Sequence, residues 1–346
     1  MSEAEIELIP NLPEEIGLEC LIRLPYTEHR VAARVCRRWR ELLESRGFYY
    51  QRKQTGYTHK VACLVQSLPV KTAGGGRKPA GAPFYGITVF DPVSGTWERL
   101  HPVPNYPDGL PLFCQLSSVE GKLVLMGGWN PVSWEPVKDV FVFDFTIRQW
   151  RRGKDMPSKR SFFASGSLDG KIFVAGGHDE NKNALKSAWS YDVRRDEWEE
   201  LSQMTEERDE CEGVIIGNEF WVVSGYSTEN QGRFESSAEC YELETGRWRR
   251  VEGAWPAGRC PRVCVGVEKE KDGKLFCWAE SDSAIRVGAC GVGLGERTLV
   301  TGSPYMGAPQ GVFLVEAKKG QNGKLEKIDA PDEFSGFVQS GCCVEI

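Results

Sequence analysis

A glycine pair, an aromatic residue and a tryptophan recur along this chain in a fixed order. In the clearest copy, Gly176 and Gly177 close an apolar segment, Tyr191 follows fourteen residues later, and Trp198 follows after seven more. The related sets are Gly127, Gly128, Phe143 and Trp150, then Ser224, Gly225, Tyr241 and Trp248, with Phe90 and Trp97 ahead of them. Successive tryptophans lie about 50 residues apart, and self-similarity at such a period indicates a repeat architecture in which each copy packs on the next.

Each repeat contains the segments of four short strands. Small residues come first, as in 162–170, an apolar strand ending in glycine follows, and an aromatic strand and a strand led by tryptophan complete the unit. Small residues suit the strand nearest a central axis, and the glycines suit a sharp exit with positive φ. The aromatic residue and the tryptophan are interpreted as core side chains between neighbouring units. The pattern predicts a mainly β fold, a β-propeller with the period of kelch-type blades.

The repeats divide residues 57–333 into six predicted blades, with five as the alternative because the pattern fades toward the end of the chain. The predicted bounds are 57–104, 109–157, 158–206, 207–257, 258–290 and 291–333. Blade one lacks an inner strand, and a loop rich in Gly, Pro, Ala and Lys interrupts it at 69–83. The small residues of 334–346 suit the missing strand. This segment is therefore predicted to complete blade one and close the ring, which removes exposed sheet edges.

Residues 1–50 are predicted to form a small α-helical module, joined to the propeller by a short linker at 51–56. Pro25 interrupts the helical pattern, and apolar residues return at helical spacing after it. One predicted stripe carries Val31, Val35 and Trp39.

The segment 12–43 resembles an F-box. It has a Leu-Pro pair, an apolar helix, a second Leu-Pro pair, then Val-Cys-x-x-Trp and a closing leucine. F-boxes of this kind dock on the Skp-type adaptor of an SCF ubiquitin ligase, and through it on a cullin. The resemblance implies that Val35 and Trp39 hold the helices together. It also implies that the adaptor is contacted by Leu12, Pro13, Ile16, Leu24 and Pro25.

An F-box followed by kelch repeats is similar to the F-box/kelch-repeat family, which is large in plants. Segments such as 126–145 and 336–346 resemble a subgroup that promotes turnover of phenylalanine ammonia-lyase and other phenylpropanoid enzymes, or of cytokinin-response regulators. The resemblance implies a non-enzymatic adaptor in the cytoplasm, the nucleus or both. Its helical module would hold the ligase, and its propeller would hold the protein to be degraded.

In kelch propellers, the loops after the glycine pairs and the links between blades open on one face, where the target is expected. The predicted target-binding residues are Trp129, Trp134, Arg160, His178, Arg208 and Tyr226. Arg160 and Arg208 are one repeat apart, so they are expected to be related by rotation about the axis. Two readings stay open for them. They could grip an acidic segment of the target, or form salt bridges between blades with Asp155, Glu207 or Asp209.

Composition disfavours several other classes of protein. The net charge of −6 argues against nonspecific nucleic-acid binding. No apolar run approaches the length of a membrane span, and no signal peptide is expected. The four histidines are scattered, and the twelve cysteines lack the spacing of a metal site, so neither a metal nor a cofactor is predicted.

Three alternatives to the ligase role remain. A kelch scaffold or cytoskeletal binder would have the same propeller without any ligase contact. A copper oxidase would need converging histidines, which this chain does not offer, and no other catalytic motif is present. A DNA-binding reading of the arginine-rich helices is disfavoured because glutamates are interleaved with the arginines.

Overall fold

The computed structural model describes residues 7–69, 83–263, 267–269, 275–277, 283–316 and 325–346. The helical module comes first and has four helices: α1 (Glu14–Ile22), α2 (Tyr26–Ala32), α3 (Arg37–Leu43) and α4 (Arg46–Gln54). Pro13 and Pro25 precede α1 and α2 directly, where the missing amide hydrogen is tolerated. None of the described helices is long and apolar enough to cross a membrane.

The last helix lies partly where a linker was predicted. Ser45 begins α4, because its hydroxyl accepts a hydrogen bond from the Phe48 amide at 3.1 Å. Phe48 and Arg52 then follow at helical spacing, and both are buried, so α4 continues to Gln54. The core of the module contains Leu8, Leu21, Ile22, Ala32, Leu43 and Phe48.

The described strands form five antiparallel sheets of four strands and one sheet of two. Blade 1 contains β1 (Lys60–Ser67), β2 (Tyr85–Asp91), β3 (Thr96–Arg99) and the C-terminal β22 (Val338–Glu345). Blade 2 contains β4 (Gln115–Val119), β5 (Lys122–Met126), β6 (Val140–Asp144) and β7 (Gln149–Arg152). Blade 3 contains β8 (Ala164–Leu168), β9 (Lys171–Ala175), β10 (Ala188–Asp192) and β11 (Glu197–Glu200). Blade 4 contains β12 (Glu212–Ile216), β13 (Glu219–Val223), β14 (Ala238–Glu242) and β15 (Arg247–Val251).

The two remaining sheets bear on the number of blades. The last blade contains β18 (Val287–Gly293), β19 (Arg297–Ser303), β20 (Gly311–Glu316) and β21 (Glu326–Ile328). Between it and blade 4 lies the two-stranded sheet of β16 (Val267–Lys269) and β17 (Leu275–Cys277), where the six-blade count placed a further blade. Among the described residues the propeller thus has five complete blades, the number given as the alternative. The loop predicted at 69–83 lies almost entirely outside the described residues.

The chain closes its ring with its own C-terminus. Strand β22 is the inner strand of blade 1 and pairs with β1 from Lys60 opposite Glu345 to Gln66 opposite Val338. His59 and Ile346 extend the ladder by two reciprocal backbone hydrogen bonds of 2.9 Å. The inner strands β22, β4, β8 and β12 stand side by side around the axis, and β18 contacts β22 from the other side.

In blades 2 to 4, the recurring aromatic pairs fix the blade to the link before it. Tyr191 and Trp198 lie opposite each other on β10 and β11, with stacked rings 4.7 Å apart. The Trp198 indole donates to the Lys154 carbonyl at 2.8 Å, in the link that leads into the blade. Trp150 and Trp248 repeat this bond to the carbonyls of His101 and Ser202. In each of these pairs the two rings pack against each other within one blade, and the tryptophan N–H donates to a carbonyl in the link before that blade.

The glycine pair is required by the close approach of neighbouring backbone. Gly176 and Gly177 have φ values of 69° and 80°, in the left-handed region. A Cβ at Gly177 would lie 2.4 Å from the Ser161 carbonyl oxygen, and one at Gly176 would lie 2.6 Å from that of Arg208. No side chain fits at either position without moving one of the two links that flank the blade.

Candidate functional site

The two ends of the propeller differ in what covers them. We call the lower face the end that carries the first-to-second and third-to-fourth strand turns of each blade, such as 120–121 and 145–148. The upper face is the opposite end, with the loops after the glycine pairs and the links between blades, such as 127–139 and 153–163. The helical module lies on the lower face, and the predicted target-binding residues lie on the upper face.

Polar and aromatic contacts hold the helical module against the lower face of blades 1 and 2. Arg46 donates to the Glu120 carbonyl at 2.7 Å and to its carboxylate at 3.1 Å. Arg148 grips Glu98 with two hydrogen bonds of 3.2 and 2.8 Å and also donates to the Tyr26 hydroxyl. The paired bonds to Glu98 lie within the propeller, between blades 2 and 1, and position Arg148 for its bond to Tyr26 of the module. The module is therefore attached in a defined orientation.

The C-terminal strand strengthens this attachment. Glu345 accepts from the Thr58 hydroxyl at 2.7 Å and pairs with Lys53 of α4 at 2.9 Å. These partners hold the pKa of the Glu345 carboxyl below its usual range, against the opposing effect of burial. The strand that closes the propeller thus also anchors the last helix of the module.

The predicted adaptor-binding residues differ in exposure. Pro13, Ile16 and Pro25 are exposed on the helical module, whereas Leu12 and Leu24 are half-buried and Leu24 packs against the module core. The folded module therefore exposes several apolar residues. Exposed apolar residues grouped on a small module indicate an interaction surface.

Val35 was expected to hold the helices together, and this expectation is wrong. Helix α2 ends at Ala32, so the helical spacing that would bring Val35 into the core is broken, and its side chain is 63% exposed. With the exposed Val31 it extends the apolar surface. Trp39 does hold the module together, because its indole donates to the Leu8 carbonyl at 2.7 Å.

Sequence reasoning missed Arg52, which supports the turn between α1 and α2. Its buried guanidinium donates to the carbonyls of Ile22, Leu24 and Tyr57, each at 2.6 Å. Burial lowers the pKa of Arg52 to about 10. Burial and the charge of Arg52 also lower the pKa of His29 to about 4. A buried arginine in a polar stretch has no sequence signal, because its carbonyl partners exist only once the helices have packed.

On the upper face, three predicted target-binding residues occupy the same position in successive repeats. Trp129, His178 and Tyr226 each follow the glycine that ends a second strand, and each pairs with the link before its own blade. Trp129 is half-buried, and His178 and Tyr226 are buried. All three therefore lie on the upper face of the propeller, at the junctions between successive blades.

A hydrogen-bonded chain joins three blades through His178. The Trp129 indole donates to His178 Nε2 at 3.1 Å, and His178 Nδ1 donates to both carboxylate oxygens of Asp209 at 2.8 Å. The acceptor role of Nε2 assigns the proton to Nδ1. His178 is thus a bridge between blades 2 and 4. Trp134 differs from it, because it is 61% exposed in the loop after β5.

Arg160 and Arg208 are not available to a target, which corrects the prediction made for them. Arg160 is 0% and Arg208 1% exposed. Arg160 donates to the carbonyls of Gly176 and Ser187 and to the Ser187 hydroxyl, and Arg208 makes the equivalent bonds to Ser224 and Ser237. The two are related by one repeat, as expected, but as supports of the loop after the second strand.

The alternative reading of these arginines, as partners of Asp155, Glu207 or Asp209, is not what the structure shows either. The acid that pairs with Arg208 through its Nε is the fully buried Glu239, at 3.3 Å, and no carboxylate pairs with Arg160 among the described residues. The prediction that the target presents an acidic segment required these arginines to be exposed. Because they are buried, the structure removes the support for that prediction.

No group of three or more His, Cys, Asp or Glu side chains within the described ranges could hold a metal ion. The described cysteines are all free thiols, several of them buried in the blades. Burial raises the pKa of Cys114 to about 12 and that of Cys211 to about 11. Both thiols are therefore protonated packing groups.

Comparisons with known proteins agree with both parts of the fold. The F-box domain family matches residues 9–51, and the KLHDC2/KLHL20/DRC7 Kelch-repeats domain matches residues 59–271. The chain is similar to three Arabidopsis thaliana proteins. It is 36% identical to F-box/kelch-repeat protein At1g15670, over 99% of this chain and 100% of that protein. It is 39% identical to F-box/kelch-repeat protein At2g44130, over 80% and 73%. It is 40% identical to F-box/kelch-repeat protein SKIP20, over 80% and 75%. The chain therefore belongs to the F-box/kelch-repeat family.

Proposed function

We propose that this protein is the substrate-recognition subunit of an SCF-type ubiquitin ligase. The helical module binds a Skp-type adaptor and through it a cullin, and the upper face of the propeller binds the protein to be ubiquitinated and degraded. The observation that carries the proposal is the placement of the module. Its contacts with the propeller lie on the lower face, so within the described residues it leaves the apolar adaptor surface and the upper face uncovered.

The chain supplies binding and orientation in this proposal, and the chemistry belongs to the ubiquitin-conjugating enzyme. A target held on the upper face would stand at a fixed distance from the adaptor, because the module and propeller are joined by Arg46, Arg148 and Glu345. Holding two reactants in a fixed geometry is itself a large contribution to rate. No nucleophile is required of this protein.

Recovery of the Skp-type adaptor and cullin with the purified full chain tests the ligase assignment. Ile16→Glu with Val35→Glu places two charges on exposed apolar positions, so we expect loss of adaptor recovery without loss of folding. Val93→Glu, at an exposed position on the lower face of blade 1, is the matched control. Equal adaptor recovery by all three proteins would refute the assignment and leave the kelch scaffold as the better reading.

The degraded protein is proposed to be a phenylpropanoid enzyme such as phenylalanine ammonia-lyase. The support is the resemblance of two segments of this chain to the plant subgroup that acts on that enzyme. Co-expression should shorten the half-life of phenylalanine ammonia-lyase, and the Ile16→Glu, Val35→Glu protein should not. An unchanged half-life with the intact protein would remove this target while leaving the ligase role in place. We further propose a cytoplasmic or nuclear location, which a fluorescent fusion would test.

A further inference from the structure

Three phenylalanines form an arc at the upper end of the propeller axis, which we call the mouth arc: Phe337, Phe113 and Phe162. Each lies just before the inner strand of its blade, β22, β4 or β8. Phe337 is 42% and Phe113 38% exposed, and Phe162 is half-buried. The rings of Phe113 and Phe162 lie 4.5 Å apart. The Phe113 amide donates to the side chain of Gln339, two residues after Phe337, which ties Phe113 to β22, and the Phe337 ring lies beside Gly288 of the last blade.

The backbone holds two of these rings at the surface under strain. Phe113 has φ 58° and Phe162 has φ 55°, in the left-handed region that bulky residues avoid. The next residues, Cys114 and Phe163, are fully buried. Folding alone would favour glycine at 113 and 162, as it does at the glycine pairs. Strain of this kind concentrates where a ligand is held.

Glu210 replaces the phenylalanine at the equivalent position of blade 4. It has φ 49°, and the Tyr226 hydroxyl hydrogen-bonds to it and to Asp209. The arc thus ends at a carboxylate. Acidic side chains also outnumber basic ones in the described links and loops around it, which carry Glu206, Glu207, Glu229 and Glu235.

The nearest positive charge is committed to internal acceptors. Arg262 lies 5.5 Å from the Phe162 ring centre and donates to the carbonyls of Phe163 at 3.4 Å and Cys211 at 3.1 Å. With its side-chain oxygen facing Arg262, Gln115 accepts a further bond of 3.0 Å from Nη1. Arg262 therefore spans the inner strands of blades 2 to 4. It supports the floor of the mouth, and its charge is already engaged by these acceptors.

We infer that the mouth arc binds a segment of the target that carries an apolar or aromatic anchor next to a basic residue. The anchor packs on Phe113 and Phe162, and the basic side chain faces Glu210. Aromatic anchors dominate protein interfaces, and a carboxylate at their edge selects the charge of the partner. This inference rests on the proposed function, because it describes how that target is held.

The probes are three pools of short fluorescent peptides in a Gly/Ser background, measured by fluorescence polarisation against the full chain bound to its adaptor. The first pool places Leu or Phe next to Arg, the second replaces Arg by Glu, and the third replaces the apolar residue by Ser. We expect the first pool to bind about tenfold more tightly than either of the others. Glu210→Lys should reverse the preference for Arg over Glu. Equal binding of the three pools, or binding of none, would overturn the inference.

Glycine substitutions separate recognition from folding. Phe113→Gly and Phe162→Gly place glycine where the backbone favours it, so binding of the first pool should fall about tenfold while the melting temperature does not fall. Val93→Gly on the lower face is the control and should leave binding unchanged. Loss of binding only in step with a fall in melting temperature would show that the rings are structural, and unchanged binding would show that they are not the contact. If the adaptor is recovered in either case, the ligase assignment stands and only the mouth arc fails.

Discussion

Replacing Arg208 by Met should destabilise the propeller far more than replacing Arg160 by Met, although the two side chains occupy the same position in successive repeats. Both are buried and support the same loop carbonyls one repeat apart. They differ in their acidic neighbours, because Arg208 is paired with the fully buried carboxylate of Glu239 and lies 4.0 Å from the partly exposed Glu235. The comparison isolates what a buried ion pair contributes within one fold.

The magnitude follows from what each substitution leaves behind. Without Arg208, Glu239 is a buried carboxylate that retains only the Thr205 and Glu206 amides as donors, at 2.7 and 3.2 Å. An uncompensated buried charge costs about 3–5 kcal/mol. Removal of Arg160 leaves only neutral acceptors without a partner, at about 1–3 kcal/mol each.

The charge of Arg160 itself opposes folding. Burial lowers its pKa to about 10, which corresponds to roughly 3 kcal/mol of desolvation that Met would not incur. This gain offsets much of the loss of hydrogen bonds. We therefore expect Arg160→Met to cost less than its lost hydrogen bonds alone would, and Arg208→Met to cost at least about 2 kcal/mol more.

Urea unfolding of the full chain measures both free energies. Arg208→Met should lower the midpoint at an unchanged slope. Adding Glu239→Gln to Arg208→Met should recover part of the loss, because a neutral amide replaces the stranded charge, and the double-mutant cycle gives the coupling energy. An equal cost for the two arginines, or no rescue by Glu239→Gln, would refute the assignment of the difference to the buried pair.

Three further perturbations follow from the structure. Deletion of 334–346 removes β22 and exposes the edge of β1 that pairs with it. It should cause aggregation and a loss of cooperative unfolding, and a monomer with the wild-type melting temperature would contradict a structural role for this strand. Because the pKa of His29 is lowered to about 4, the unfolded chain takes up a proton that the folded chain does not, so stability should fall as the pH drops from 6.5 toward 4. The loss should be about 2 kcal/mol at pH 5, and a His29→Gln protein with the same pH profile by thermal melting would exclude this source. Gly177→Ala should lower the urea midpoint by more than Gly217→Ala. Both have positive φ, but only at 177 does the Cβ meet a carbonyl, that of Ser161.

The blades could be predicted because their signals are local and repeated. Tyr191 and Trp198 are seven residues apart and meet across a short turn, so their spacing in the sequence is their spacing in the sheet. The last two sheets lack this spacing, which is why the number of blades stayed open. The closing strand could also be predicted from the sequence, because 334–346 has the small residues of an inner strand and no repeat of its own.

The role of the arginines could not be predicted, because the residue type alone does not indicate whether a side chain is buried. Arg160 and Arg208 look like surface residues in a polar link, yet each bends under the loop that follows the second strand of its blade. Phe113 and Phe162 present the opposite case, since apolar residues before an inner strand look like core. Their left-handed backbone leaves them at the surface, and no composition or periodicity signals a positive φ at phenylalanine.

The orientation of the helical module is also beyond local sequence signals, and it decides how the two surfaces can work together. Arg46 meets Glu120 and Arg148 meets Tyr26 across long separations in sequence, on the lower face of two blades. With Lys53 on Glu345, these contacts attach α2 and both ends of α4 to the propeller. A short linker alone would let the module swing, whereas three separated attachments allow one orientation. A protein bound at the mouth arc would consequently be presented to the ligase from one direction, and the lysines on that side of the target would be the ones modified.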